Sequence, residues 1–292
     1  MDRLQNQGMY DIGKITHNVA EQELTENLPG DVLRLLQISD CHLYADTSRR
    51  LVGLNTQETF EQVIDLAMQT AMPADMILAT GDIVHDASPE GYQRARIHLE
   101  QFNLPVFCLP GNHDVPKTMA YNMESELVSS QKSVVSGNWI LIFLDSTIPS
   151  EAGGGLPDDE LRLLQETLQA NQDLHALICL HHHPVKIGSA WMDGMYLRNP
   201  ESFFHIIEQN PNTRGVLWGH IHQTYEGMHN HVRLMGSPST CIQFTPGRDD
   251  FAIDHLSPGF RWLELYPDGR INSGVKRLMQ MPAGLDLKCG GY

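Results

Sequence analysis

Five short clusters of polar residues carry the side chains that could do chemistry: Asp40-Cys41-His42, Gly81-Asp82, Gly111-Asn112-His113-Asp114, His181-His182-His183-Pro184 and Gly219-His220-Ile221-His222. Pooled, they offer Asp40, His42, Asp82, Asn112, His182, His220 and His222 as metal ligands. Seven donors exceed the needs of one tetrahedral ion and match two. Carboxylate, imidazole and amide donors together suit divalent transition metals, with Fe2+ first and Mn2+, Zn2+ and Co2+ as alternatives. One carboxylate must then bridge, and Asp82 is central in the order. On an extended chain, residues two apart point the same way, so Asp40 and His42 are expected to act together, as are His220 and His222. Taken singly, Asp-x-His or Gly-Asp is usually a turn or a helix cap. All five clusters in one chain favour a metal centre.

Each cluster must be held by an element. LRLLQI runs into Ser39-Asp40, MILA into Thr80-Gly81, VFCLP into Gly111, ALICL into His181 and GVLW into Gly219; WILIFL likewise runs into Asp145-Ser146. Short runs this rich in large aliphatic residues predict buried strands. Helical spacing lies between them. Asn55 with Glu58 resembles a capping box ahead of Phe60, Val63, Ile64 and Ala67. Ser88-Pro89 opens a second helix, Asp158 precedes a Leu161–Leu164–Leu168 stripe, and Pro200 to Gln209 forms a fourth. Strand–helix alternation predicts a parallel or mixed sheet covered by helices. The runs HVRLMG and FRWLELY, beyond residue 230, predict antiparallel strands. Polar clusters at the carboxyl ends of such strands predict one shared cleft. Residues 1–30 are expected to form an arm outside the core, with one short helix over 19–26, and residues 31–292 a single domain.

Composition narrows the function. The 292 residues carry 36 acids against 20 bases, a formal charge of −16. Such a surface repels a phosphate backbone and disfavours nucleic-acid binding. Five cysteines without a CxxC pair predict reduced, buried thiols rather than a disulfide framework. No apolar run long enough to span a bilayer is present, and the polar start MDRLQNQGMYDIG does not read as a signal peptide. A cytoplasmic protein with no membrane partner is expected.

In this order, Asp-x-His, Gly-Asp, Gly-Asn-His-Asp, His-His-Pro and Gly-His-x-His resemble the calcineurin-like metallophosphoesterase superfamily. The blocks Leu51–Thr56, Trp191 to Pro200, Ser237–Cys241 and Ser257–Gly259 are similar to those of bacterial class III 3′,5′-cyclic AMP phosphodiesterases. The resemblance implies a four-layer α/β/β/α sandwich of two mixed sheets around a dinuclear centre. It implies Asp40, His42, Asp82 and His222 on the first metal and Asp82, Asn112, His182 and His220 on the second. His113 would be the proton donor or transition-state stabiliser. Where the family pattern has two histidines before proline, this chain has three. Counting back from Pro184 selects His182, and an extended strand would then turn His181 and His183 away.

The implied reaction is hydrolysis of 3′,5′-cyclic AMP to 5′-AMP by a hydroxide bridging two metals. His42, Asp82, Asn112, His113 and His222 would also meet the substrate. Asn55 and the Gly188–Pro200 loop are candidates for recognition, Trp191 by stacking on adenine and Arg198 by meeting phosphate. Alternatives are another phosphodiester, such as a glycerophosphodiester or a 2′,3′-cyclic nucleotide, and a non-catalytic scaffold of the same fold.

Overall fold

The computed structural model describes residues 24–25 and 30–291. The strands, in chain order, are β1 (Leu33–Ile38), β2 (Arg50–Leu51), β3 (Leu54–Asn55), β4 (Met76–Thr80), β5 (Val106–Leu109), β6 (Val128–Ser129) and β7 (Ser133–Ser136). They continue with β8 (Trp139–Phe143), β9 (His175–Leu180), β10 (Thr213–Trp218), β11 (Tyr225–His229), β12 (Val232–Gly236), β13 (Gly259–Leu265) and β14 (Ile271–Arg277). Between them lie helices α1 (Thr56–Thr70), α2 (Pro89–Glu100), α3 (Pro116–Met123), α4 (Asp158–Ala170), α5 (Ala190–Asp193) and α6 (Pro200–Gln209).

Two six-stranded mixed sheets form, ordered β14-β13-β1-β4-β5-β6 and β11-β12-β10-β9-β8-β7. Both faces of the central strands β1, β4, β5, β8, β9 and β10 are buried, which is why they read as continuous apolar runs. Side chains alternate between two partners. Leu78 of β4 and Leu177 and Cys179 of β9 face a middle layer between the sheets. Ile77 and Ala79 face the α1–α2 side. Ile178 and Leu180 face the side of α4 and α6. The result is the expected four-layer α/β/β/α sandwich.

The capping box holds: Asn55 Oδ1 accepts from Glu58 N at 3.1 Å and starts α1. Ser88 caps α2, with Pro89 in its first turn. FRWLELY is antiparallel, as β13 between β1 and β14. HVRLMG differs from expectation. As β12 it pairs antiparallel with β11 but parallel with β10, because the β11–β12 hairpin lays its second strand beside β10 in the same direction.

The expected short helix over 19–26 lies outside the described residues, apart from positions 24 and 25. Leu24 packs against the α1–α2 side of the core, and Thr25 bonds both carboxylate oxygens of Glu264. Cys41, Cys108, Cys179 and Cys241 are buried free thiols, and Cys289 is half-buried. No helix among the described residues is long and apolar enough to cross a membrane.

Candidate metal centre

The polar clusters converge where the two sheets' strand ends meet, but not on extended backbone. Asp40, His42, Asp82, His220 and His222 all have positive φ, between 45° and 66°. Non-glycine residues rarely adopt this left-handed conformation, and a run of five marks backbone held against local preference at a functional site. Tight pairing between the loops enforces it: Asp40 N donates to Gly81 O at 3.0 Å and His42 N to Asp82 O at 2.9 Å. Asp40 and His42 therefore face one space, as expected, through curled loops rather than strand alternation. The flanking glycines permit the approach. A Cβ at Gly111 would sit 2.2 Å from Asp82 Oδ1, and one at Gly219 would sit 2.8 Å from Asp40 Oδ2.

One group comprises Asp40, His42 and His222, all buried. His222 Nδ1 donates to the Ile242 carbonyl at 2.9 Å, so its Nε2 presents a lone pair. That Nε2 lies 3.1 Å from His42 Nε2 and 3.4 Å from Asp40 Oδ1. Lone pairs and a carboxylate gathered this closely repel unless they share a cation.

A second group comprises Asp40, Asp82 and His181. His181 Nδ1 donates to the Thr80 carbonyl at 2.8 Å, leaving Nε2 3.4 Å from Asp82 Oδ2 and 4.0 Å from Asp40 Oδ1. The buried Asn112 Oδ1 and His220 Nε2 have no hydrogen-bond partner. Asp82 is common ground, since His42 Nε2 is also 3.7 Å from its Oδ2. Donor types, orphaned atoms and crowded acceptors together fit two divalent ions.

Protonation agrees. Burial drives the His42 and His220 imidazoles well below their usual range, keeping them neutral as ligation requires. Burial opposes ionisation of Asp82, yet His181, His113 and His42 hold its carboxyl well below the usual range. Burial also disfavours a charged His181, but the Asp82 and Asp40 carboxylates outweigh it and push the imidazole up to about 9. The pocket attracts positive charge to that position.

The placement of the histidine run corrects the expectation. His181, not His182, faces Asp82. The strand β9 ends at Leu180, so counting back from Pro184 through an assumed extended segment gives the wrong register. Counting forward from Leu177 and Cys179, which face the middle layer, puts His181 between the sheets and His182 on the helix side. There His182 Nδ1 meets Ser146 Oγ at 2.8 Å and its ring packs on Gly154. His182 remains near the site, within 4.8 Å of the ligand atoms of His181 and His220. His183 stacks on His220, with ring centroids 5.6 Å apart.

The recognition candidates are placed differently. Asn55 does not reach the cleft, because its amide is spent on the cap of α1 and on the Thr47 carbonyl at 3.0 Å. Arg198 is exposed and paired with Glu151, a residue that lines the mouth of the cleft. Trp191 does line the cleft. Asp82, Asn112, His113, His220 and His222 form the polar side of a cavity of about 480 Å³. Trp191, Met192, Met195, Phe244 and Phe251 form its apolar wall. Trp191 meets Phe244 and Phe251 edge-on, with centroids 4.9 and 5.3 Å away. The two phenylalanines escaped sequence reading because they sit in an irregular segment with no period. Asp114, the last residue of the Gly-Asn-His-Asp cluster, has a role that the motif alone does not reveal. Its carboxylate accepts from Gly111 N, Ile83 N, Val84 N and Tyr92 Oη at 2.9–3.2 Å, tying the Asp82 loop to the Asn112 loop.

This fold and this cluster define a metallophosphoesterase. The calcineurin-like phosphoesterase family profile matches residues 33–224, and the chain belongs to that family. It is similar to the 3′,5′-cyclic adenosine monophosphate phosphodiesterase CpdA of Pseudomonas aeruginosa, 40% identical over 259 residues covering 88% of this chain and 94% of that one. It is similar also to the CpdA of Escherichia coli K12, 35% identical over 274 residues covering 93% and 100%. Among solved structures, a dimetal phosphatase from Danio rerio shares the fold, with a TM-score of 0.58 at 16% identity over 83% of this chain and 98% of that one.

Proposed function

We propose that this chain hydrolyses 3′,5′-cyclic AMP to 5′-AMP at a dinuclear metal centre. The observation that carries the reading is the convergence of the five clusters around Asp82, at the polar side of a nucleotide-sized cavity. The cyclic AMP phosphodiesterases it resembles, over nearly their whole length, support the substrate.

Asp40, His42, Asp82 and His222 would hold one ion; Asp82, Asn112, His181 and His220 would hold the other. The donor set suits Fe2+ or Mn2+, with Zn2+ and Co2+ as alternatives. When bound, two such ions supply an activated water and neutralise phosphoryl charge. The protein's own residues do the rest. His113, which lines the cavity and whose backbone N–H donates to Asp82 Oδ1 at 2.9 Å, would give a proton to the departing 3′-oxygen. An alkoxide leaves poorly, and general acid catalysis is worth about 10²–10⁴-fold. Trp191, backed by Phe244 and Phe251, offers adenine an aromatic wall. A reducing, cytoplasmic setting fits five cysteines that are all free thiols.

The test is a panel at equal metal loading: 3′,5′-cyclic AMP, 3′,5′-cyclic GMP, a 2′,3′-cyclic nucleotide and a glycerophosphodiester, with product analysis. The reading expects 5′-AMP from cyclic AMP as the preferred turnover. Preferred cleavage of a glycerophosphodiester would reassign the substrate and leave the phosphoesterase reading intact.

A further inference from the structure

His85 belongs to none of the five clusters, yet it touches two of their members. Its Nδ1 lies 3.2 Å from His42 Nδ1. Its ring stacks on His113, with centroids 4.4 Å apart and planes 24° apart. Tyr44 also lies against His85, with ring centroids 4.9 Å apart and planes tilted by 42°. The backbone beneath is fixed: Leu43 bridges Val84, and His85 N donates to Leu43 O at 2.7 Å.

We propose that His85 is a positioning residue that sets the tautomer of His42 and aims the His113 imidazole, an inference that rests on the function proposed above. The two contacts do separate things. His42 can ligate through Nε2 only if its proton sits on Nδ1, and His85 Nδ1 accepts that proton's hydrogen bond. Such outer partners are typically worth about 10–100-fold in metal affinity. The ring face restricts His113, and proton transfer to the leaving oxygen demands that orientation, since a small misplacement costs about 10²-fold.

Two variants separate the contacts. His85→Asn keeps an acceptor near the Nδ1 position and removes the ring. His85→Phe keeps the ring and removes the acceptor. Each is titrated with Mn2+ by calorimetry and assayed on cyclic AMP and on bis(p-nitrophenyl) phosphate, whose p-nitrophenolate departs without a proton. His85→Asn is expected to bind Mn2+ like the parent, lose about tenfold or more in kcat on cyclic AMP, and change less than about twofold on the artificial diester. His85→Phe is expected to weaken Mn2+ binding by about tenfold or more. The proposal is overturned if His85→Asn loses both substrates equally, or if neither variant changes Mn2+ binding or the ratio of the two activities. Failure of the parent protein to cleave cyclic AMP would instead count against the function, and the Mn2+ titration would still judge the His42 contact.

Discussion

At the scale of single residues, the three adjacent histidines show how a one-position shift changes which side chain meets the carboxylates. Neighbours on a strand face opposite sides, so His181 reaches the carboxylates while His182 turns to Ser146 and Gly154. His181→Ala is therefore expected to lose the second ion and drop activity by at least about 10²-fold, whereas His182→Ala keeps two ions per chain. Elemental analysis of both variants decides this. The convergence of Asp40, His42, Asp82, Asn112, His220 and His222 was legible because each follows an apolar run, and the strand fixes where its end points. The placement of Asn55 was not, since a polar side chain near a cleft also fits a cap, and only packing distinguishes the two. Trp191→Ala is expected to lower kcat/KM for cyclic AMP by about tenfold, about 1.4 kcal/mol, with much less effect on bis(p-nitrophenyl) phosphate. Equal losses on both substrates would make Trp191 a support of the loop alone.

At the scale of elements, strands β1, β4, β5, β8, β9 and β10 were readable as apolar runs because both faces of each are covered. The loops after them were not. Left-handed backbone at Asp40, His42, Asp82, His220 and His222 leaves no compositional mark, unlike a glycine. Helices α3 and α5 are only 8 and 4 residues long, too short to show a period. Something must hold such loops against local preference, and Asp114 does so with four hydrogen bonds across two of them. Replacing it by Asn puts an amide N–H where only acceptors fit. Asp114→Asn is expected to weaken metal binding by about 10–100-fold, without altering the ligands themselves, as a Mn2+ titration would show.

Across the whole molecule, the centre depends on how two sheets sit against each other, because β1 and β4 carry Asp40 and Asp82 while β9 and β10 carry His181, His220 and His222. Besides the apolar middle layer, one buried charge spans the sheets. Arg261 of β13, fully buried, bonds Glu226 of β11 at 2.6 Å and the Gly236 carbonyl of β12 at 2.8 Å. Removing its carboxylate strands a buried cation. Glu226→Ala is accordingly expected to cost about 3–5 kcal/mol in unfolding free energy, measured by denaturant titration. The layer architecture was legible from strand–helix alternation; the Arg261 clamp was not, since its partners lie 35 and 25 positions away in sequence. The whole account turns on the metal count. Elemental analysis of protein purified without chelator, taken with cyclic AMP turnover on the same sample, should give two transition-metal ions per chain at full activity. A ratio of one or less at full activity would contradict the dinuclear centre.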